Sequence, residues 1–125
     1  STLFPYTTLF RSHVSAWNID LKSFSEEGYK KLGGDFKTTL RTIELISDIS
    51  HLEVTTLVVP GLSDSLKEME EEAKFLKSLD ENIPLHINRY VPSYKYYEPS
   101  TDRNLLFELG DIAKKYLKRV KIGNI

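Results

Sequence analysis

Apolar and polar side chains alternate along residues 16–22, and this period of two is typical of a strand with one buried face. The apolar positions are Trp17, Ile19 and Leu21, and the polar positions are Asn18, Asp20 and Lys22. Residues 85–90 alternate in the same way. One face there holds His86, Asn88 and Tyr90, and the other holds Leu85, Ile87 and Arg89. The pattern therefore predicts two strands, each with a polar face.

Between these segments, residues 52–59 are rich in Val and Thr, which predicts a mostly buried strand with Glu53 and Thr55 on its polar face. Residues 120–122 predict a short fourth strand. Helices are predicted in the intervening segments, because apolar residues recur there every three or four positions. The predicted helices are 25–31, 35–48, 65–80 and a last one along the stripe from Leu106 to Leu117. We interpret the acidic run 68–72 as a solvated helix face.

Strands that alternate with helices indicate βαβ units and a parallel sheet, hence an α/β fold. Two architectures remain open at this point: a doubly wound sheet, or part of an α/β barrel. If helices cover the apolar strand faces, the polar faces point inward together. Leaving several polar groups there unpaired would cost roughly 1–3 kcal/mol each, so we expect a wet, ligand-filled cavity. The alternative is that Asp20 and Lys22 pair with each other or lie beyond their strand.

Composition excludes several classes of function. The chain has 17 Lys and Arg against 18 Asp and Glu, so no general nucleic-acid surface is expected. It has no Cys, which excludes disulfides, thiolate metal ligands and a cysteine nucleophile on this chain. No apolar run is long enough to span a membrane. The three histidines, His13, His51 and His86, are far apart in sequence and are not expected to form a metal site.

The first twelve residues, STLFPYTTLFRS, follow none of these patterns and lack the apolar segment of a signal peptide. A common short-read sequencing adapter translates in one frame to the same twelve residues. We therefore interpret 1–12 as a non-native, adapter-derived segment and 13–125 as the domain, which we expect to begin within a longer gene. A natural edge strand around Leu9 and Phe10 is the alternative.

Five segments in a fixed order resemble one group of enzymes. They are AWNIDLKSF (16–24), LGGDFKTTLRTIELI (32–46), EVTTLVVPGLSDS (53–65), IPLHINRYVPSYKY (83–96) and KIGNI (121–125). This series resembles the C-terminal half of a radical S-adenosylmethionine (SAM) enzyme of the AmmeMemoRadiSam-system group, akin to the pyruvate formate-lyase activating enzymes. The resemblance implies the second half of a partial (β/α)6 TIM-type barrel, truncated at both ends.

The resemblance also implies cofactors and a site. In the parent protein, a CxxxCxxC loop would hold a [4Fe-4S] cluster, and SAM would be cleaved there to a 5′-deoxyadenosyl radical. The positions that the resemblance assigns to SAM are Asp20, Leu21, Lys22, Thr55 and Leu57. Those that we assign to the substrate side or the cavity wall are Glu53, His86, Asn88 and Arg89. Two positions depart from the activating enzymes, which carry Arg in place of Thr55 and His in place of Val91.

Because the cluster cysteines are absent, we expect this chain alone to bind neither cofactor stably and to be inactive. The implied partners are the missing N-terminal half of the same barrel and the other proteins of the AmmeMemoRadiSam system, in a cytoplasmic parent with no nucleic-acid or membrane partner. Two other hypotheses remain. One is a self-contained, non-catalytic α/β ligand-binding module that uses Asp20, Lys22 and the Tyr-rich loop at 91–101. The other is a different barrel enzyme in which Asp20 and Lys22 act as acid–base or Schiff-base groups.

Overall fold

A computed structural model describes residues 16–92 and 100–125. Segment 1–12, which carries the adapter interpretation, and most of the Tyr-rich loop lie outside the described residues. The four predicted strands are confirmed as β1 (Trp17–Leu21), β2 (Leu52–Val58), β3 (Leu85–Arg89) and β4 (Val120–Gly123). The helices are α1 (Glu26–Lys31), α2 (Phe36–Ile49), α3 (Leu66–Leu79) and α4 (Arg103–Lys114).

The four strands form one parallel sheet in the order β1-β2-β3-β4. This order decides between the two architectures, because a doubly wound sheet reverses its strand order at a switch point and this sheet does not. Right-handed crossovers between sequential strands place every connecting helix on the same face of the sheet. The described chain is therefore an arc of an α/β barrel, with helices on the convex side and a polar concave side.

The hydrophobic core lies between the sheet and the helices. Each strand of the central pair contributes fully buried residues such as Val54 and Ile87. The three longer helices cover them with Ile43, Leu76 and Leu109, which have no exposed surface. Burial of such a side chain stabilises a fold by roughly 1.5–3 kcal/mol. The core thus fixes which face of each strand is left for the concave side.

Side-chain oxygens cap the helices at their first turns. Ser25 accepts a hydrogen bond from the backbone N–H of Gly28 at 2.9 Å, and Ser65 accepts one from Glu68 N–H at 3.2 Å. The carboxylate of Asp35 accepts from Lys37 N–H at 3.1 Å and so caps α2. These caps satisfy N–H groups that have no partner within the helix, so they fix where each helix begins.

The interpretation of the acidic run 68–72 as a solvated helix face is wrong at Glu72. Glu72 is not on a solvated face of α3 but is 2% exposed, and its Oε2 accepts a hydrogen bond from Thr56 Oγ1 at 2.8 Å. It lies three residues after Met69 and four before Leu76, and both of these are buried. Glu72 is therefore part of the stripe that faces the sheet, and Thr56 is its partner on β2.

The two outer strands leave part of the barrel wall open in the described chain. Beside β1 and α2 runs a groove of about 490 Å³, with Trp17 and Ile46 among its lining residues. Trp17 is 39% exposed, and Leu32 is similarly exposed nearby.

No helix among the described residues has the length and apolar character needed to cross a membrane.

Candidate ligand site on the concave face

A row of four polar side chains crosses the concave face at one level. Asp20 pairs in register with Thr55, Thr55 with His86, and His86 with Lys121. Residues that pair in this way between neighbouring strands project from the same face of a sheet. The alternation predicted for β1 and β3 is therefore confirmed, and it brings an acid, a hydroxyl, an imidazole and an ammonium into one row.

A second row lies closer to the carboxyl ends of the strands. Here Leu57 pairs with Asn88, and Asn88 pairs with Gly123. A Cβ atom at Gly123 would collide with Asn88 Oδ1, so glycine leaves the room that this amide occupies. A cavity of about 460 Å³ lies over the β1 and β2 part of this face and reaches Asn88 on β3. Its lining residues are Asn18, Asp20, Leu21, Lys22, Thr55, Leu57 and Asn88.

The acid and the ammonium of the DLK segment do not pair with each other. Lys22 is the first residue beyond β1, and its backbone N–H donates to the Tyr29 hydroxyl at 3.2 Å. Within the described residues, the salt bridges include none between Asp20 and Lys22. The neighbouring hydroxyl of Thr55 donates through Oγ1 to Asn18 Oδ1 at 3.0 Å, and not to Asp20. Both charged groups therefore border the cavity without neutralising each other.

The carboxylate of Glu53 organises the lower part of the concave face. Its Oε1 lies 2.9 Å from His86 Nε2, and its Oε2 lies 3.7 Å from His51 Nε2. The hydrogen bond from His86 holds the pKa of Glu53 below its ordinary value, and the charges of His86, His51 and Lys121 act in the same direction. One acidic group thus lies among three basic ones.

Two of the residues assigned to the site have side chains on the helix-facing side. Leu21 is 1% exposed and belongs to the core, although it borders the cavity. Arg89 lies on the face of β3 opposite His86, and its Nε donates to the backbone carbonyl of Thr101 at 2.8 Å. The carboxyl end of β3 is thereby tied to the start of α4, and the cavity roles of Leu21 and Arg89 stay predictions.

The structure adds two concave-face residues that the sequence analysis did not select, Lys121 and Gly123. Their spacing of two positions within a four-residue strand was the available signal, but their level could be known only from the pairing with β3. Over residues 16–92 and 100–125, no three His, Cys, Asp or Glu side chains are placed so that they could hold a metal ion.

Taken together, the strand order and the polar inner face define a parallel α/β half-barrel with a cavity near the carboxyl ends of its strands. A solved structure has the same fold: the crystal structure of a domain of pyruvate-formate lyase-activating enzyme from Bacteroides vulgatus ATCC 8482. The TM-score is 0.81 at 17% sequence identity, and the similarity covers 96% of this chain and 74% of that one. No family model and no curated protein matches the sequence. The similarity to the solved structure, together with the parallel sheet, confirms the predicted α/β fold class.

Proposed function

We propose that this chain is the SAM-binding part of a radical SAM enzyme, with the cofactor in the concave-face cavity. The observation that carries the proposal is the position of the cavity. Asp20, Leu57 and Asn88 all lie near the carboxyl ends of their strands. This is the end of an α/β barrel at which active sites are built. The volume of about 460 Å³ lies within the range of small-molecule sites.

The chemistry of the cavity fits SAM. The Asp20 carboxylate suits a sulfonium cation or ribose hydroxyls, and the Lys22 ammonium suits the carboxylate of the methionine moiety. Thr55 and Asn88 offer hydroxyl and amide groups, and the half-exposed Leu57 offers an apolar surface for a purine ring. Asp20, Lys22, Thr55 and Leu57 would therefore hold SAM in this proposal, and Leu21, whose side chain packs in the core, would only border the bound cofactor.

The iron–sulfur cluster does not fit this chain, because none of its 125 residues is a cysteine. The proposal therefore places the cluster on the other half of the parent barrel, which would cover the open side beside β1. In the parent protein, SAM held next to such a cluster would supply the radical chemistry of this enzyme class. The residues of this chain orient SAM and line the space next to it. Membership of the AmmeMemoRadiSam group, with its partner proteins, is the finer form of this proposal.

The proposal is tested by titrating the chain with SAM and with S-adenosylhomocysteine while amide signals are followed by NMR. Because the cluster that would share SAM is not on this chain, we expect weak but saturable shifts at Asp20, Thr55 and Asn88. Binding of S-adenosylhomocysteine should be weaker still, because it lacks the sulfonium charge. Asp20→Asn should remove most of this preference. Asp48→Asn is the matched control, since it makes the same change on α2 away from the cavity. Equal binding of both compounds by the wild type, or none, would contradict the proposal.

Two further experiments distinguish the SAM proposal from the two other hypotheses. A Schiff-base enzyme predicts that borohydride traps a carbonyl compound on Lys22, whereas the SAM proposal predicts no such adduct. A self-contained binding module predicts that ligand binding is unaffected when the parent's N-terminal half is added. The SAM proposal predicts instead that the added half strengthens SAM binding, because cluster and cavity then share one ligand.

A further inference from the structure

The row of four polar side chains on the concave face carries opposite charges at its two ends. It begins with the acid Asp20 on β1 and ends with the base Lys121 on β4, and Thr55 and His86 lie between them. A ligand that spans this row meets a negative group at one end and positive groups at the other. The SAM proposal accounts for the Asp20 end only.

At the β3–β4 end, the chain supplies a carboxylate of its own. Glu53 Oε1 lies 2.9 Å from His86 Nε2, and Lys121 lowers the pKa of this carboxyl through its charge. The side chains of Glu53 and His86 are each about one-third exposed, so an external group can reach them. Glu53 thus shows which kind of group His86 and Lys121 attract: an oxyanion.

We propose that His86 and Lys121 bind an oxyanion group of the substrate, of the carboxylate or phosphate type, and that Glu53 competes with it for His86. This assignment deepens the function proposed above and rests on it. His86 is the register partner of Thr55, which lines the cavity that would hold SAM, so the oxyanion site would lie beside that cavity on its substrate side. The ammonium of Lys121 supplies charge, and the His86 ring supplies a directed N–H donor.

Two substitutions act in opposite directions on this site. Lys121→Gln removes the positive charge and should weaken oxyanion binding about two- to fivefold, as expected for one partly exposed ion pair. Glu53→Gln removes the competing carboxylate and should strengthen binding by a similar factor. Lys118→Gln is the matched control, because Lys118 pairs with Glu81 at 3.1 Å outside this row.

The experiment is a titration of the full chain with inorganic phosphate, and separately with acetate, while the His86 ring proton signals are followed by NMR. Ionic strength is kept constant with sodium chloride. We expect a saturable shift at His86 that weakens in Lys121→Gln, strengthens in Glu53→Gln and is unchanged in Lys118→Gln. A stronger response to phosphate than to acetate would favour a phosphate-bearing substrate, and the reverse order a carboxylate.

The proposal is wrong if the His86 signals respond to phosphate and acetate no more than to sodium chloride, or if Lys121→Gln and Lys118→Gln behave alike. Thermal unfolding of each variant shows whether a lost response reflects a lost fold, and Glu53→Gln then decides, because it predicts a gain. SAM binding is measured through Asp20 and Thr55 and oxyanion binding through His86. Failure of one proposal is therefore distinguishable from failure of the other.

Discussion

The buried carboxyl of Glu72 makes the stability of this fold depend on pH. Burial raises the pKa of Glu72 from its ordinary value of 4.5 to about 7, the hydrogen bond from Thr56 opposes this shift, and the nearby Glu68 adds to it. The folded chain therefore binds a proton on Glu72 at pH values where the unfolded chain has released it. Such a group stabilises the fold at low pH and loses its contribution as the pH rises.

The size of the effect follows from the two pKa values. Below pH 4.5 Glu72 is protonated in both states, and its contribution to the free energy of unfolding is complete. Between pH 4.5 and pH 7 only the folded state keeps the proton, so the contribution decreases. At about 1.4 kcal/mol for each pH unit, the total loss is about 3 kcal/mol. Above pH 7 the curve becomes flat.

The assay is urea unfolding at a series of pH values, with wild type and Glu72→Gln compared at each one. Glutamine does not titrate, so the difference between the two proteins isolates Glu72 from every other ionisable group. We expect this difference to change by about 3 kcal/mol between pH 4.5 and pH 7. A constant offset is also expected, because the buried amide leaves an N–H donor without a partner.

A second variant tests the role of the hydroxyl. Thr56→Val removes the donor to Glu72 Oε2, so the pKa of Glu72 should rise further and the pH-dependent decrease should extend to higher pH. If the difference between wild type and Glu72→Gln does not vary with pH, Glu72 is not buried as a neutral acid. The stated packing of α3 on β2 would then be refuted.

Three more substitutions test the packing. Gly110→Ala places a Cβ 2.8 Å from Ile122 Cδ1, the far end of that side chain, which must turn aside. Because alanine also favours the helix, we expect the free energy of unfolding to fall by less than about 1 kcal/mol, and adding Ile122→Val should remove this loss in thermal unfolding. Ser65→Ala removes the cap of α3 and should cost about 1 kcal/mol in urea unfolding, and an unchanged midpoint would contradict the cap. Thr101→Val leaves the Val58 carbonyl without its buried donor, with an expected cost of about 1–3 kcal/mol by chemical denaturation; no loss would mean that water replaces the bond.

The strands could be predicted because one face of each is buried and the other is not. In β1 and β3 this difference shows as an alternation of apolar and polar residues, and the structure confirms which face Asp20, His86 and Asn88 occupy. Barrel and doubly wound sheet could not be distinguished from the same patterns. Strand order is set by packing between units that are distant in sequence. Only the observed order of the sheet, in which each strand pairs with the next one along the chain, distinguishes the two architectures.

Glu72 and Lys121 show where the local pattern was insufficient. The acidic run around Glu72 predicts a solvated position, although its helical spacing from Met69 and Leu76 places it on the buried stripe. A buried acid is tolerated there because Thr56 faces it, and no local pattern in α3 reveals a partner on β2. Likewise, nothing within β4 indicates that Lys121 lies level with His86, because that relation exists only in the paired strands.

The sequential order of the sheet has a consequence for how the fold can assemble. Trp17 pairs with Leu52, Val54 with Leu85 and Leu85 with Val120, so every pairing joins one strand to the next along the chain. Among the four described strands, none has to enter between two strands that are already paired, and the sheet can grow at one edge, one βα unit at a time. Short separations of this kind favour fast folding among parallel sheets. They also make the connections between units the natural points at which such a barrel can be divided or extended.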